Sequence, residues 1–485
     1  MSLIEMSFNL KIDIHTCLKK TLLLLFLLFS INVLHAQQFG LYNSRTLYDV
    51  FENPSQSAYQ IDTSRRIAFN FFIPTITTNG TFSGSATPTF KSIIYDNIIN
   101  GNGIPIGQNK FNTLSFNLNT YLVMLRILKT VKRSQELGIS WQIRNDGRIK
   151  VTNETLAIFD NYRLFTGNSF VGLFNSKGYN QSYHQFSLTY RQNYNKRLSL
   201  GAKGSLLSGI THTAFEAYRS DLNIDDLNDI VNVNIAGSLR SSFIFDNFDS
   251  KSIYPKFKNP GLSLTAGASY KFRQGWFVLG NLKDIGFIKW NKNSYIYNFN
   301  ADNITIDNAS NSTADDRLAD SVDQRISNSS SNKSYLSPLN GKLEVLINKD
   351  FGNYQPNLIL SKSLYYDGGN VVLTNNYHVR NFVFTLAADY NTSKFLAIGG
   401  QFMVKSPNTE FFLGSDHLFK TFEAIKDARS GSSPYSAGYT GVSFYMGFGL
   451  KFGRVLEHAA NANNIPGFER NSEGGFLRKI FKKRG

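Results

Sequence analysis

A single cysteine, Cys17, stands in this chain of 485 residues, and it lies ahead of the one long apolar run, where it is not placed to take a lipid after export. Beyond that run there is no cysteine at all, which excludes disulfides, zinc–thiolate centres and a cysteine nucleophile. No later apolar stretch approaches the roughly 20 residues with which a helix crosses a bilayer, so a helical membrane domain is excluded too. The histidines past Ala36, His184, His212, His378, His417 and His458, are scattered, with no pair at metal-ligand spacing. There is no Gly-x-Ser-x-Gly, and "GNGIPIG" at 101–107 has no Lys-Ser/Thr after it to make a phosphate loop. "DLNIDDLND" offers Asp221, Asn223 and Asp225 at calcium-loop spacing, but Asp226 takes the glycine position and Asn232 that of the bidentate Glu. These absences leave no catalytic residue, metal ligand or cofactor to name, and no enzyme is expected.

What is present begins with an export signal. Lys19 and Lys20 precede the apolar run of 21–34, and Ala36 supplies the small residue that signal peptidase cuts after, so cleavage is expected after Ala36. The precursor carries a net charge of +16. In an exported chain such an excess points to lipid headgroups or envelope polymers rather than to nucleic acid. It is densest in the last ten residues, where Arg478, Lys479, Lys482, Lys483 and Arg484 surround Phe476, Leu477, Ile480 and Phe481. This basic tail, 455–485, is either a solvated appendage or a contact for envelope proteins.

Period two runs through the rest. "QELGISWQIR" sets Leu137, Ile139, Trp141 and Ile143 against Gly138, Ser140, Gln142 and Arg144. "LSLTAGASYKF" sets Leu262, Leu264, Ala266, Ala268, Tyr270 and Phe272 against Ser263, Thr265, Gly267, Ser269 and Lys271, and "GVSFYMGFGLKFGR" at 441–454 repeats the pattern. Strands this long exceed the five or six residues usual in globular proteins and match the roughly ten that cross a bilayer at a barrel's tilt. Connections alternate between a few residues, near 193–196, 273–275 and 350–353, and some fifty, up to Pro260 and over 291–340, as short turns and long outer loops do. The segment 291–340 reads as a polar surface loop. Forty-one Phe and 24 Tyr supply interfacial girdles. The expected fold is an all-β, up-and-down antiparallel transmembrane barrel of about 14 strands (12 to 16). Its residues are 66–454, behind an N-terminal segment, 37–65, that serves as a plug; a soluble secreted β protein is the alternative. "NVVLTNNYHVRNFVF" reads as one bulged strand or two, which leaves the strand number open.

If the apolar stripe faces lipid, Arg144, Arg191, Lys203, Lys271, Lys342 and Lys451 face the lumen or its rims, with Glu344 and Asp389 in equivalent places. That favours a small hydrophobic or anionic solute, while Arg191 and Lys271, beside turns, also fit a simple meeting with water. A plugged structural or assembly barrel holding envelope or secretion partners is the other reading.

Three stretches carry a resemblance. "FGLYNSRTLYDVFENPSQSA", with Asn53 and Pro54, is similar to the N-terminal segment of fatty-acid-transporter-type barrels, although Ser55 stands where those carry Ala. "NLKDIGFIKWN" and "FFLGSDHLF" resemble a family of Gram-negative outer-membrane barrels classed as a domain of unknown function. The resemblance implies a barrel and the outer membrane of a Gram-negative envelope, without implying a substrate.

Overall fold

The computed structural model describes residues 39–457 except 96–99, 102, 132–133, 159–163, 166, 226, 244–252, much of 310–329, and 431–437. The export signal and the tail cations Arg478, Lys479, Lys482, Lys483 and Arg484 lie outside the described residues.

Fourteen antiparallel staves close on themselves. The first stave is broken into β1 (Arg65–Phe69) and β2 (Thr75–Ser83), followed by β3 (Phe111–Thr130), β4 (Gln135–Thr152) and, past a short β5 (Ser169–Val171), by β6 (Lys177–Asn193) and β7 (Leu198–Asp225). Beyond β8 (Ile230–Ser241) come β9 (Pro260–Lys271) and β10 (Trp276–Trp290). Past β11 (Tyr295–Asp307), β12 (Ser330–Asn332) and β13 (Tyr335–Pro338) follow β14 (Lys342–Lys349), β15 (Tyr354–Ser363), β16 (Gly369–Val379) and β17 (Phe382–Asn391). The last staves are β18 (Phe395–Lys405), β19 (Thr409–Ser415) and β20 (Tyr439–Val455). β1 and β2 both pair with β3 on one side and β20 on the other, which shuts the barrel.

The burial pattern is that of a globular protein turned inside out. Outward residues are apolar and bare, such as Leu188 at 61% and Leu264 at 57% exposure, while their neighbours Thr189 and Thr265 are fully buried. In 441–454 the half-exposed face is Val442, Phe444, Met446, Phe448, Leu450 and Phe452, and the buried face is Gly, Ser, Tyr and Lys. An exposed apolar belt round a polar interior is stable only in lipid.

The ambiguous stretch before residue 385 is two strands, β16 and β17. They meet in a two-residue turn whose Arg380 adopts φ 54°, a left-handed conformation taken here by a residue that does not advertise it. The segment 291–340, expected as a polar loop, instead carries strands: β11 pairs with β8, β8 with the far half of the 28-residue β7, and β13 with the far half of β10. The sheet thus extends past the barrel at the long-loop end. The first stave breaks at Asn70, whose side-chain amide donates to Ile73 O and Leu122 O and accepts from Met124 N, replacing lost ladder bonds.

Candidate functional site

The lumen is filled by residues 39–64, which enter from the short-turn end. A turn at Phe39–Leu41 leads through Asn43 and Arg45, both at positive φ, into a one-and-a-half-turn helix, α1 (Leu47–Glu52). So short a helix is unstable alone. Thr46 caps it by accepting from Asp49 N (3.2 Å), and the Asp49 carboxylate accepts from Arg45 N (2.8 Å) and Asn53 Nδ2 (2.6 Å). Its apolar side, Leu47, Tyr48, Val50 and Phe51, packs against inward Tyr121, Met124, Met403, Phe412 and Tyr445 of the wall. Phe39 and Tyr42 cover a second wall patch of Leu279, Leu346, Ile359 and Val372.

Three polar clusters fasten the plug. In the first, Glu52 accepts from Tyr121 (2.6 Å) and Asn119 (3.1 Å) and pairs with Arg144 (3.2 Å) and Lys283. Arg144 also pairs with Asp284, which sits 3.4 Å from the Nζ of fully buried Lys203. Asn281 donates to Glu52 O (3.0 Å) and Asn53 Oδ1 (3.2 Å), and Tyr42 donates to Glu344 (2.7 Å). In the second, Arg126 and Arg191 share Glu136 and donate to the plug carbonyls of Val50, Gln56 and Ser55. In the third, Lys405 donates to Ser44 O and Arg45 O, and Glu410 accepts from Leu47 N.

A bulge builds the first cluster. Between Leu282 and Ile285 the β9–β10 register slips, Asp284 takes φ 49°, and Lys283 and Asp284 both turn inward, giving opposite charges on consecutive residues. The wall is also thinned for the plug: a Cβ on Gly201 would stand 2.2 Å from the Pro54 carbonyl carbon.

Burial alone would raise the Glu52 carboxyl, but Lys283, then Arg144 and Lys203, hold it well below the usual carboxylate range. Burial pushes the Asp49 carboxyl up to about 6, against its hydrogen bonds from Arg45 and Asn53. The Tyr42 phenol is driven up by burial and then by Glu344.

The six cations singled out from sequence divide between these places. Arg144, Arg191 and Lys203 are on the inner wall, matched by Glu52, Asp284, Glu136 or plug carbonyls. Lys451 points inward and donates to Pro407 O (3.2 Å). Lys342, half-buried, lines a vestibule at the long-loop end, and Lys271 is exposed at the short-turn rim. Sequence reasoning missed Glu52, Arg126, Glu136, Lys283 and Asp284. The one signal for the bulge is that apolar Leu282 and Ile285 stand three apart, where the strand's period is two.

Above the plug the vestibule is about 90 Å³, with Asp146, Arg148, Lys342, Asp389 and His417 on its walls. His417 faces Asn79 (3.1 Å) and is lowered to about 4 by burial. Beside it, burial and then Asp389 push the Asp416 carboxyl well above its usual range. Among the described residues no group of three or more His, Cys, Asp or Glu side chains is placed to hold a metal ion.

No curated protein sequence matches this chain. Solved barrels similar in layout include the P. putida toluene transporter TodX, with 6% identity, coverage of 83% of this chain and 93% of that one, and a TM-score of 0.38. The CymD monoaromatic hydrocarbon channel has 9% identity, 84% and 94% coverage and a TM-score of 0.38. A Pseudomonas aeruginosa FadL homologue has 10% identity, 79% and 89% coverage and a TM-score of 0.37. A family model matches residues 63–416, from the last plug residues through thirteen staves to the start of the β19–β20 connection, and the chain belongs to that family of unknown function, DUF5723.

Proposed function

We propose that this barrel passes a small hydrophobic molecule, which takes the plug's place against apolar patches of the lumen wall. The observation that carries the reading is the inward patch of Leu279, Leu346, Ile359 and Val372, each at most 1% exposed and covered by the plug's own Phe39 and Tyr42. A polar lumen has no need of such a patch unless something apolar rests there, and releasing the plug bares it to water at about 25 cal/mol per Å² until a cargo replaces it. An anionic cargo has less support, because Arg144, Lys203 and Lys283 are already matched by Glu52 and Asp284.

The test is uptake into proteoliposomes of an aromatic hydrocarbon and of a disaccharide of comparable size. Deleting 39–64 is expected to raise both, and adding Ile359→Asn with Val372→Asn to the deletion is expected to lower only the hydrocarbon. Equal effects on both solutes would make it a size-selective pore. If neither rises on deletion, the second reading stands: a plugged assembly barrel, which the three clusters fastening 39–64 favour.

A further inference from the structure

Across the outer wall, register aligns side chains of neighbouring staves into rows. One row holds Trp141, Phe186, Leu206, Leu262 and Phe287, each paired with the next. The row beneath it runs Leu188, Gly204, Leu264, so a residue without a side chain sits between two leucines. The result is a concavity of about 970 Å³ in the lipid-facing surface, lined by these residues. A Cβ on Gly204 would meet nothing within 4 Å.

Directly above the aromatic row, toward the long-loop end, stand three exposed lysines. Lys256 and Lys258 flank Phe257, whose ring packs 5.6 Å from Phe186 and whose N–H donates to Ser208 Oγ (3.0 Å), fixing this segment over the concavity's upper edge. Lys289 follows Phe287 by two residues, and the pairing of Ile288 with Gly261 sets it opposite Pro260, two residues from Lys258. None of the three pairs with a carboxylate among the described residues. An apolar notch, an aromatic shelf and then a cationic rim is the order of layers from acyl chain to headgroup in a leaflet.

We infer that the concavity seats a phosphate-bearing lipid of the outer leaflet, with an acyl chain lying across Gly204 and the phosphate held by Lys256, Lys258 and Lys289. Ammonium groups bind phosphate as point charges without demanding a fixed fork, which suits a headgroup at a rim. The site is independent of the plug and of any cargo in the lumen.

The experiment uses the full chain extracted from outer membranes in mild detergent, with co-purifying lipids measured by mass spectrometry and by phosphorus per barrel. Wild type is expected to retain about one phosphorylated lipid. Gly204→Trp, which fills the notch, and the triple change Lys256→Glu, Lys258→Glu, Lys289→Glu are each expected to lower it about tenfold. Gly280→Trp, equally open on β10 but outside the concavity, is the control and should retain wild-type lipid. Heat-modifiable mobility in gels reports that every variant is folded. Equal loss in the Gly204 and Gly280 variants, or no loss in the lysine variant, would overturn the proposal in favour of unselective annular lipid. Release of the lipid by millimolar inorganic phosphate would overturn it in favour of a free-anion site. A wild-type dimer that Gly204→Trp turns into monomers would overturn it in favour of a second copy of the chain.

Discussion

Gly201 of β7 and Pro54 of the plug touch backbone to backbone, so that even a methyl group on the wall would lie 2.2 Å from the Pro54 carbonyl. Gly201→Val is therefore expected to unseat residues 39–64 while leaving the barrel closed, since position 201 lies in regular strand conformation. Limited proteolysis should cut the N-terminal segment of the variant and spare that of wild type, with heat-modifiable mobility retained by both. A protected segment in the variant would mean that the close approach is not part of the seat.

Glu52→Gln removes the carboxylate that faces Lys283 and Arg144, leaving cations in the lumen with too few partners. Breaking one side of a buried pair costs about 3 kcal/mol or more. Hydrogen exchange of the amides of α1 should quicken by roughly two orders of magnitude if the plug opens as a unit. Combining it with Lys283→Met should recover part of the protection, because the uncompensated charge goes too.

Removing Asp284 tests the wall rather than the plug. Asp284→Asn keeps a residue that tolerates positive φ but leaves Arg144 and Lys203 without a shared anion, one of them fully buried. The temperature at which the barrel loses its fast gel mobility should fall clearly. An unchanged temperature would show that the cluster adds nothing to closure.

The pH dependence of seating follows from two carboxyls of opposite sign. Asp49, pushed up to about 6 from 3.8 by burial, holds a proton in the seated plug that it loses in the released one. Its contribution is complete below the ordinary value and disappears as pH rises through about 6. Glu52, held below its ordinary 4.5 when seated, contributes above that value and loses the contribution as pH falls. Protection of residues 39–64 from protease should thus be greatest at about pH 4 to 4.5, weaker near pH 8 and weaker again near pH 3. Asp49→Asn should flatten the alkaline side alone.

The barrel was legible because lipid and lumen impose opposite demands on alternate residues, and a strand obeying both shows it over its whole length, as β9 does from Leu262 to Lys271. The extension beyond the rim was not legible: in β11, Tyr295, Ile296 and Tyr297 follow one another without alternation, and polar residues around them look like loop. In the lumen, the cations Arg144 and Lys203 stood out against apolar stripes, yet their partners did not. Glu52 lies 92 residues from Arg144 in a segment with no strand period, and Asp284, 140 residues away, owes its inward direction to a bulge. Pairings set by three-dimensional closure leave no local trace. Two of the quoted motifs nevertheless meet there, because Asn281 of "NLKDIGFIKWN" donates to Asn53 of "FENPSQSA".

The seam between the first and last staves ties the foot of the plug to closure of the barrel. Asp62 N donates to Leu456 O (2.6 Å), Leu456 N donates to Ser64 O (2.9 Å), and Arg65 reaches Gly453 O across 388 residues of sequence. The plug runs into this seam with no slack between its last hydrogen bond and the first stave. Such long-range pairing forms late in folding. The foot of the N-terminal segment, residues 62–65, is therefore fixed only when β20 arrives, and the strand made last is the one that anchors the segment made first.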